Sequence, residues 1–305
     1  SARRHSSLSS PEHTTGAMRR ALHLSSLFFA ALTAARDKVF FLGPMKTGTT
    51  SLSKLFTERG YKTCHGECAG ETWSTMTHAH KADSKSLRDH DAFMDHGDHT
   101  DFEWLNQTYP TARFVLNTRS LRNWVVSKAD HMRRKRVSAG CPPWGSDCAK
   151  DPHGFVSNSN TTIRRWIISQ AEHQRRVLDF FNGSRSLRNR FVVVDVEGQS
   201  VRSLNLLLDW VTRSDVSTRK TTDPVRTPKS VPLSHAVHHT EAPDANSNAH
   251  SSDTRTRVTD VLRSLRVPAS CWEDTLYFGC LKGMTLTRSE VAKRHTGTDI
   301  FSLMR

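Results

Sequence analysis

Apolar residues follow two rhythms along this chain. Short unbroken runs in KVFFLG (38–43), ARFVLNT (112–118) and FVVVD (191–195) are the pattern of strands covered on both faces, and FVVVD reads as a central parallel strand. DAFMD (91–95) reads as a shorter strand. Elsewhere the spacing is helical. A helix is expected over about 50–59, stopped by Gly60, and another from an N-cap at Ser120 to about residue 132. Ile163, Trp166, Ile167, Ala171, Val177, Leu178 and Phe181 mark a long one over 161–181, ended by Asn182-Gly183. Shorter helices follow over 201–211 and 255–265, and a hairpin is expected between Cys271 and Cys280. Strands and helices alternate, so the chain is expected to fold as α/β, with a central parallel β-sheet flanked by helices.

The polar pattern sets the boundaries. Residues 1–37 read as a polar tail followed by MRRALHLSSLFFAALTAA (18–35), whose two arginines, apolar stretch and small-residue end have the grammar of a secretory signal or a short membrane anchor. An amphipathic helix packed on the domain is the alternative, because the first strand begins almost at once. Residues 38–305 read as a single domain, interrupted by a Pro-, Gly- and Ser-rich loop over 141–160 and a long flexible loop over about 213–254.

Charge and cysteines then narrow the setting. The 305 residues carry a formal charge of +14 before any of 17 histidines is counted, which favours anionic partners. No basic motif interleaved with aromatics is present, so nucleic acid is not expected among them. Cys64 with Cys68, Cys141 with Cys148, and Cys271 with Cys280 lie as local pairs, which is disulfide usage in an oxidising compartment. Glycosylation sequons at Asn106, Asn160 and Asn182 point the same way. His65 between Cys64 and Cys68, and His235 with His238 and His239, lack a matched second half with zinc spacing, so no metal is called for.

The chemistry concentrates in KVFFLGPMKTGTTSLSKLF (38–56). A strand that ends in a glycine turn and opens a helix gathers unpaired N–H groups and the positive end of a helix dipole. Lys46 adds a full charge, and Thr47, Thr49, Thr50 and Ser51 add hydroxyls around Gly48. A Walker loop would place the lysine directly after the second glycine, whereas here it precedes Gly48. The stretch resembles the 5′-phosphosulfate loop of sulfotransferases that use 3′-phosphoadenosine 5′-phosphosulfate (PAPS), with Met45 inserted between the proline and the lysine. FVLNTRSLRNWVVSK resembles the second motif of that family, an arginine at a strand end with a serine eight residues on. The resemblance implies a P-loop-NTPase-like sulfotransferase fold. It further implies that Lys46, Thr47, Gly48, Thr49, Thr50 and Ser51 hold the phosphosulfate while Arg119 and Ser127 hold the 3′-phosphate. Lys282-Gly283, just after Cys280, resemble the last cofactor loop of the Golgi carbohydrate enzymes, although the arginine that follows in that group is absent.

Sulfuryl transfer to an alcohol or amine needs charge stabilisation on the leaving oxygen and a base for the acceptor. The resemblance assigns the first to Lys46. For the second it points to the strand end DAFMDHGDH, where His96 and Asp95 are the leading candidates, ahead of His99, Glu67 and Glu71. PAPS would be the co-substrate, with no metal required, and the acceptor a glycan or small molecule. The location implied is the Golgi lumen or secretory pathway, with membrane anchoring through residues 18–35; the cytoplasm is the alternative. Two other readings stay open: a P-loop kinase or NTPase using Lys46 and Asp195, and a non-catalytic polyanion-binding module.

Overall fold

The run Val39–Phe41 forms β1, and its neighbours on both sides run parallel to it. The computed structural model describes residues 36–145, 148, 158–197, 201–212 and 252–281. Residues 18–35, most of the expected long loop (213–251), and Lys282 with Gly283 lie outside the described residues. No helix among the described residues is long and apolar enough to cross a membrane.

After β1 come helix α1 (Thr49–Glu58) and strand β2 (Thr63–His65), then a small antiparallel pair, β3 (Glu67–Cys68) and β4 (Glu71–Thr72). Short helices α2 (Trp73–His78) and α3 (Lys85–Asp89) lead to β5 (Ala92–Met94). Helix α4 (Phe102–Thr108), strand β6 (Arg113–Thr118) and helix α5 (Leu121–Ser138) follow. Then come α6 (Asn160–Asn182), α7 (Arg185–Arg188), β7 (Phe191–Asp195), α8 (Val201–Thr212) and α9 (Ser252–Ser264). The five-stranded sheet has the order β2–β5–β1–β6–β7, and every neighbouring pair is parallel. The chain leaves β1 toward β2 on one side and β6 toward β7 on the other, so the direction of winding reverses between β1 and β6. In open α/β sheets ligands bind beyond the strand C-termini at such a switch point.

Side chains alternate across the sheet, and helices cover both faces. Phe40, Leu42, Phe93, Phe114 and Leu116 pack with Trp73, Met76, Phe102, Val177 and Phe181 on one side. Val39, Phe41, Met94, Val115 and Val194 pack with Leu52, Phe56, Leu207 and Val211 on the other. A further cluster joins α5, α6 and α9 to the segment around Cys271 and Tyr277. Helix α1 ends as its sequence predicts. Gly60 adopts φ 78°, its N–H donates to Thr57 O, and Tyr61 N–H reaches back to Phe56 O while the two rings meet at 5.0 Å.

Three expectations need correction. Among the described residues β7 lies at the sheet edge, beside β6 alone. Its apolar run reflects cover on both faces: Phe191 stacks on Phe181 at 4.5 Å, while Val192 packs against the α1/α8 cluster. Helix α5 runs on to Ser138, because the Arg- and Lys-rich segment 133–136 propagates a helix and favours its C-terminal end. Residues 271–280 form turns and no hairpin. Their backbone is spent capping α5, with Asp274 O and Trp272 O accepting from Leu121 N–H and Arg122 N–H.

The cysteines form three disulfides, Cys64–Cys68, Cys141–Cys148 and Cys271–Cys280. The first takes up the two sulfurs that flank His65. Of the sequon asparagines, Asn106 accepts a hydrogen bond from Arg190, whereas Asn160 and Asn182 are exposed at the two ends of α6.

Candidate active site

Leu42–Gly48 crosses the strand ends as a tightly braced loop. A Cβ on Gly43 would lie 2.1 Å from the carbonyl oxygen of Asn117, so only glycine fits there. Gly43 N–H donates to Asn117 Oδ1 at 2.8 Å, and Asn117 Nδ2 donates to Thr47 Oγ1 at 2.6 Å and Thr47 O at 3.1 Å. Thr47 Oγ1 in turn donates to Pro44 O at 2.6 Å. Trp124 Nε1–H reaches in from α5 to Met45 O at 3.1 Å. Lys46 and Gly48 both adopt φ 71°; for Lys46 that conformation costs roughly 1–2 kcal/mol. Gly48 is the N-cap of α1 and brings no capping side chain, so the first-turn N–H groups of α1 face outward beside Lys46. Thr47 and Thr49 are buried, whereas Thr50 and Ser51 are exposed.

Arg119 leans on the same loop. Arg119 follows β6 directly, and its Nη1 lies 3.4 Å from Lys46 O. Its Nε donates to Glu197 Oε1 at 2.7 Å. Glu197 also accepts from Ser120 Oγ at 2.9 Å and Asn123 Nδ2 at 3.1 Å. Burial opposes ionisation of this carboxyl, but the hydrogen bonds from Arg119, Asn123 and Ser120 outweigh it and hold its pKa below the ordinary value. Ser120 is indeed the N-cap residue of α5, yet its hydroxyl serves Glu197 and not the helix. Ser127 lies about two turns along α5 and is buried.

The face of α5 beyond Ser127 carries His131, Arg134 and Lys135, which sequence reasoning passed over although their spacing is helical. Burial is the largest cause lowering the Lys46 pKa; Asp95 opposes it, and Arg134 and Lys135 add to it. Burial and the charges of Lys46, Lys135 and Arg134 bring His131 down to about 4, so it is neutral at physiological pH. The loop thus opens onto an electropositive surface.

The strand end with the base candidates touches the same loop. Asp95 and His96 are consecutive non-glycine residues in the left-handed region, at φ 72° and 58°. Trp73 Nε1–H holds the turn through Asp95 O at 2.8 Å and Met94 O at 3.1 Å. Gly97 is wedged against β1, where a Cβ would come within 2.3 Å of Phe41 O, and its N–H donates to Gly43 O at 3.1 Å. Thr49 Oγ1 donates to Asp95 Oδ1 at 3.4 Å, and His65 Nε2 lies 3.1 Å from the same hydroxyl. Asp95 Oδ2 is 3.5 Å from His96 Nε2. Burial lowers the His96 pKa against the opposing charges of Asp95 and Asp98, leaving a neutral imidazole at physiological pH.

Lys46, Thr49, Arg119, Asp95 and His96 therefore gather at the C-terminal ends of β1, β5 and β6. Glu67 and Glu71 are exposed on the β3/β4 pair, and Glu71 is engaged by Lys81 at 3.5 Å. Asn117, Trp124, His65 and Glu197 are the members the sequence did not announce.

A family model described as a sulfotransferase domain matches residues 38–188. The match spans β1 to α7 and so contains the loop, the Arg119 arm and the Asp95–His96 turn. No curated protein matches the sequence significantly.

Proposed function

From its membership of the sulfotransferase family, to which the chain belongs, we propose that this protein transfers a sulfuryl group from PAPS to a hydroxyl or amine of an acceptor. The observation that carries the reading is the contact of Arg119 with the backbone of Lys46, which gathers two cationic grips at one strand-end crevice. The donor set suits a doubly anionic nucleotide: an uncapped helix N-terminus with an ammonium beside it, then a guanidinium and a buried serine hydroxyl. PAPS supplies the activated sulfuryl group. Lys46, with the N–H groups and hydroxyls of Thr49, Thr50 and Ser51, stabilises negative charge at the 5′ side, while Arg119 and Ser127 hold the 3′-phosphate. Thr47 and Gly48 shape the loop. Lys282 and Gly283 remain candidates for the same nucleotide on the resemblance alone.

His96 is the base, neutral at working pH with Asp95 Oδ2 3.5 Å from its Nε2, and it receives the acceptor proton. The electropositive surface of His131, Arg134 and Lys135 beside Lys46, with the net charge of +14, favours an anionic glycan as acceptor. Three disulfides support folding in the oxidising lumen of the secretory pathway, the Golgi included, with residues 18–35 as signal or membrane anchor. A kinase reading fits less well, because Asp195 ends an edge strand separated from β1 by β6.

Transfer of labelled sulfate from PAPS to a panel of acidic glycans and small alcohols tests the reaction. In that assay His96→Ala should lower kcat by roughly 10²- to 10⁴-fold. The wild-type rate should fall in acid through a limb below 6.5, the ordinary histidine value, as the imidazole takes up a proton. A variant that keeps both rate and limb would move the base elsewhere, to Asp95 first.

A further inference from the structure

We propose that Asp98 is a positioning residue, whose buried carboxylate anchors the strained Asp95–His96 turn against the phosphosulfate loop through a cluster with His99, Lys128 and His173. The proposal rests on the reading of His96 as the base. Oδ1 of Asp98 is sealed from solvent and has no hydrogen-bond partner among the described residues, although the side chain as a whole keeps 14% of its surface exposed. Its Oδ2 lies 3.6 Å from His99 Nε2.

The other members come from separate elements. Lys128 on α5 is buried, and its ammonium lies 5.2 Å over the Trp124 ring and 5.0 Å over the Trp166 ring. His173 on α6 is buried with Nε2 2.7 Å from Leu42 O, the carbonyl that precedes Gly43. Tyr277, from the disulfide-closed segment, is buried beside them, and burial together with the Asp98 charge pushes its hydroxyl pKa well up, so it stays protonated. Burial alone would raise the Asp98 pKa, yet His99, Lys128, His173 and His96 together hold it below its ordinary value.

A carboxylate kept ionised in such a place is costly and adds little net stability. What it can supply is a single arrangement of the groups around it. Lys128 and His173 reach Asp98 through charge, from α5 and α6, while Gly97, the residue before it, is bonded to the loop through Gly43 O and His173 to the end of β1 through Leu42 O. Two consecutive left-handed non-glycine residues persist only where the surroundings over-determine them. The Trp73 bonds fix one side of the turn; the proposal gives the other side to the Asp98 charge. The unpartnered Oδ1 is closed to any acceptor.

The test compares Asp98→Asn and Lys128→Met in the full chain, measuring kcat, KM, the pH profile and calorimetric affinity for adenosine 3′,5′-bisphosphate. Asp95, Asp98, His99 and Lys128 are the charged or titratable groups around His96. Removing the Asp98 charge should move the acid limb to lower pH, and removing the Lys128 charge should move it to higher pH. Asp98→Asn should cost roughly 10- to 100-fold in kcat, as for a misplaced catalytic group, with bisphosphate affinity unchanged. An unchanged kcat overturns the proposal. So does a loss of kcat and bisphosphate affinity in proportion, which marks general loosening. Should His96→Ala keep the wild-type limb, the base assignment fails separately, and kcat against bisphosphate affinity alone decides the role of Asp98.

Discussion

Replacing Lys46 with alanine should lower kcat by on the order of a hundredfold or more while the protein stays folded. The first half follows from charge. On the proposed reading Lys46 stands beside the leaving oxygen, and its half-buried position keeps water partly away. The second half follows from the bracing of the loop. Gly43, Met45 and Thr47 are held by Asn117 and Trp124, and Arg119 contacts Lys46 through its backbone carbonyl. None of these bonds uses the lysine side chain, so the thermal midpoint should hardly move. Removal of a non-glycine side chain at φ 71° neither adds nor relieves much strain, because alanine shares the Cβ. Turnover near the wild-type rate in this variant would take Lys46 out of the mechanism.

Arg119→Ala should separate the two ends of the nucleotide. A charged hydrogen bond contributes about 1.5–3 kcal/mol, so affinity for adenosine 3′,5′-bisphosphate should fall roughly 10- to 100-fold, while adenosine 5′-monophosphate loses far less. Glu197 keeps Ser120 and Asn123 as donors in the variant, which limits the structural damage. Arg119→Lys should recover only part of the loss, because an ammonium cannot hold Glu197 and a phosphate in one planar fork. Titration calorimetry with both nucleotides reads the difference. Equal losses for the two would show that Arg119 does not meet the 3′-phosphate.

Much of the fold was legible because it is written locally. The runs 38–43 and 112–118 lie on strands with cover on both faces, and Gly60 stops α1 through its own left-handed backbone. The glycine loop after β1 and the arginine after β6 were placed for the same reason: each is a strand-to-helix junction within one short stretch. What stayed hidden depends on strands meeting. Asn117 is one polar residue within the run 112–118, and it becomes the brace of the loop because β6 lies beside β1. Glu197 is 78 residues from Arg119 in sequence, and the pairing of Thr118 with Asp195 brings it there. His65 sits on a three-residue strand whose single buried member, Cys64, gives no alternation to read. The misplacement of β7 has a physical lesson as well. An unbroken apolar run reports helices above and below a strand, and it carries no information about neighbours at its edges.

The central claim is that one crevice holds a nucleotide phosphorylated on both its 5′ and 3′ sides. Calorimetric titration of the purified chain with adenosine 3′,5′-bisphosphate and, separately, with ATP and magnesium tests it most directly. The account predicts saturable one-to-one binding of the bisphosphate and much weaker binding of ATP. Preferential binding of ATP with magnesium, or no binding of the bisphosphate, would contradict it.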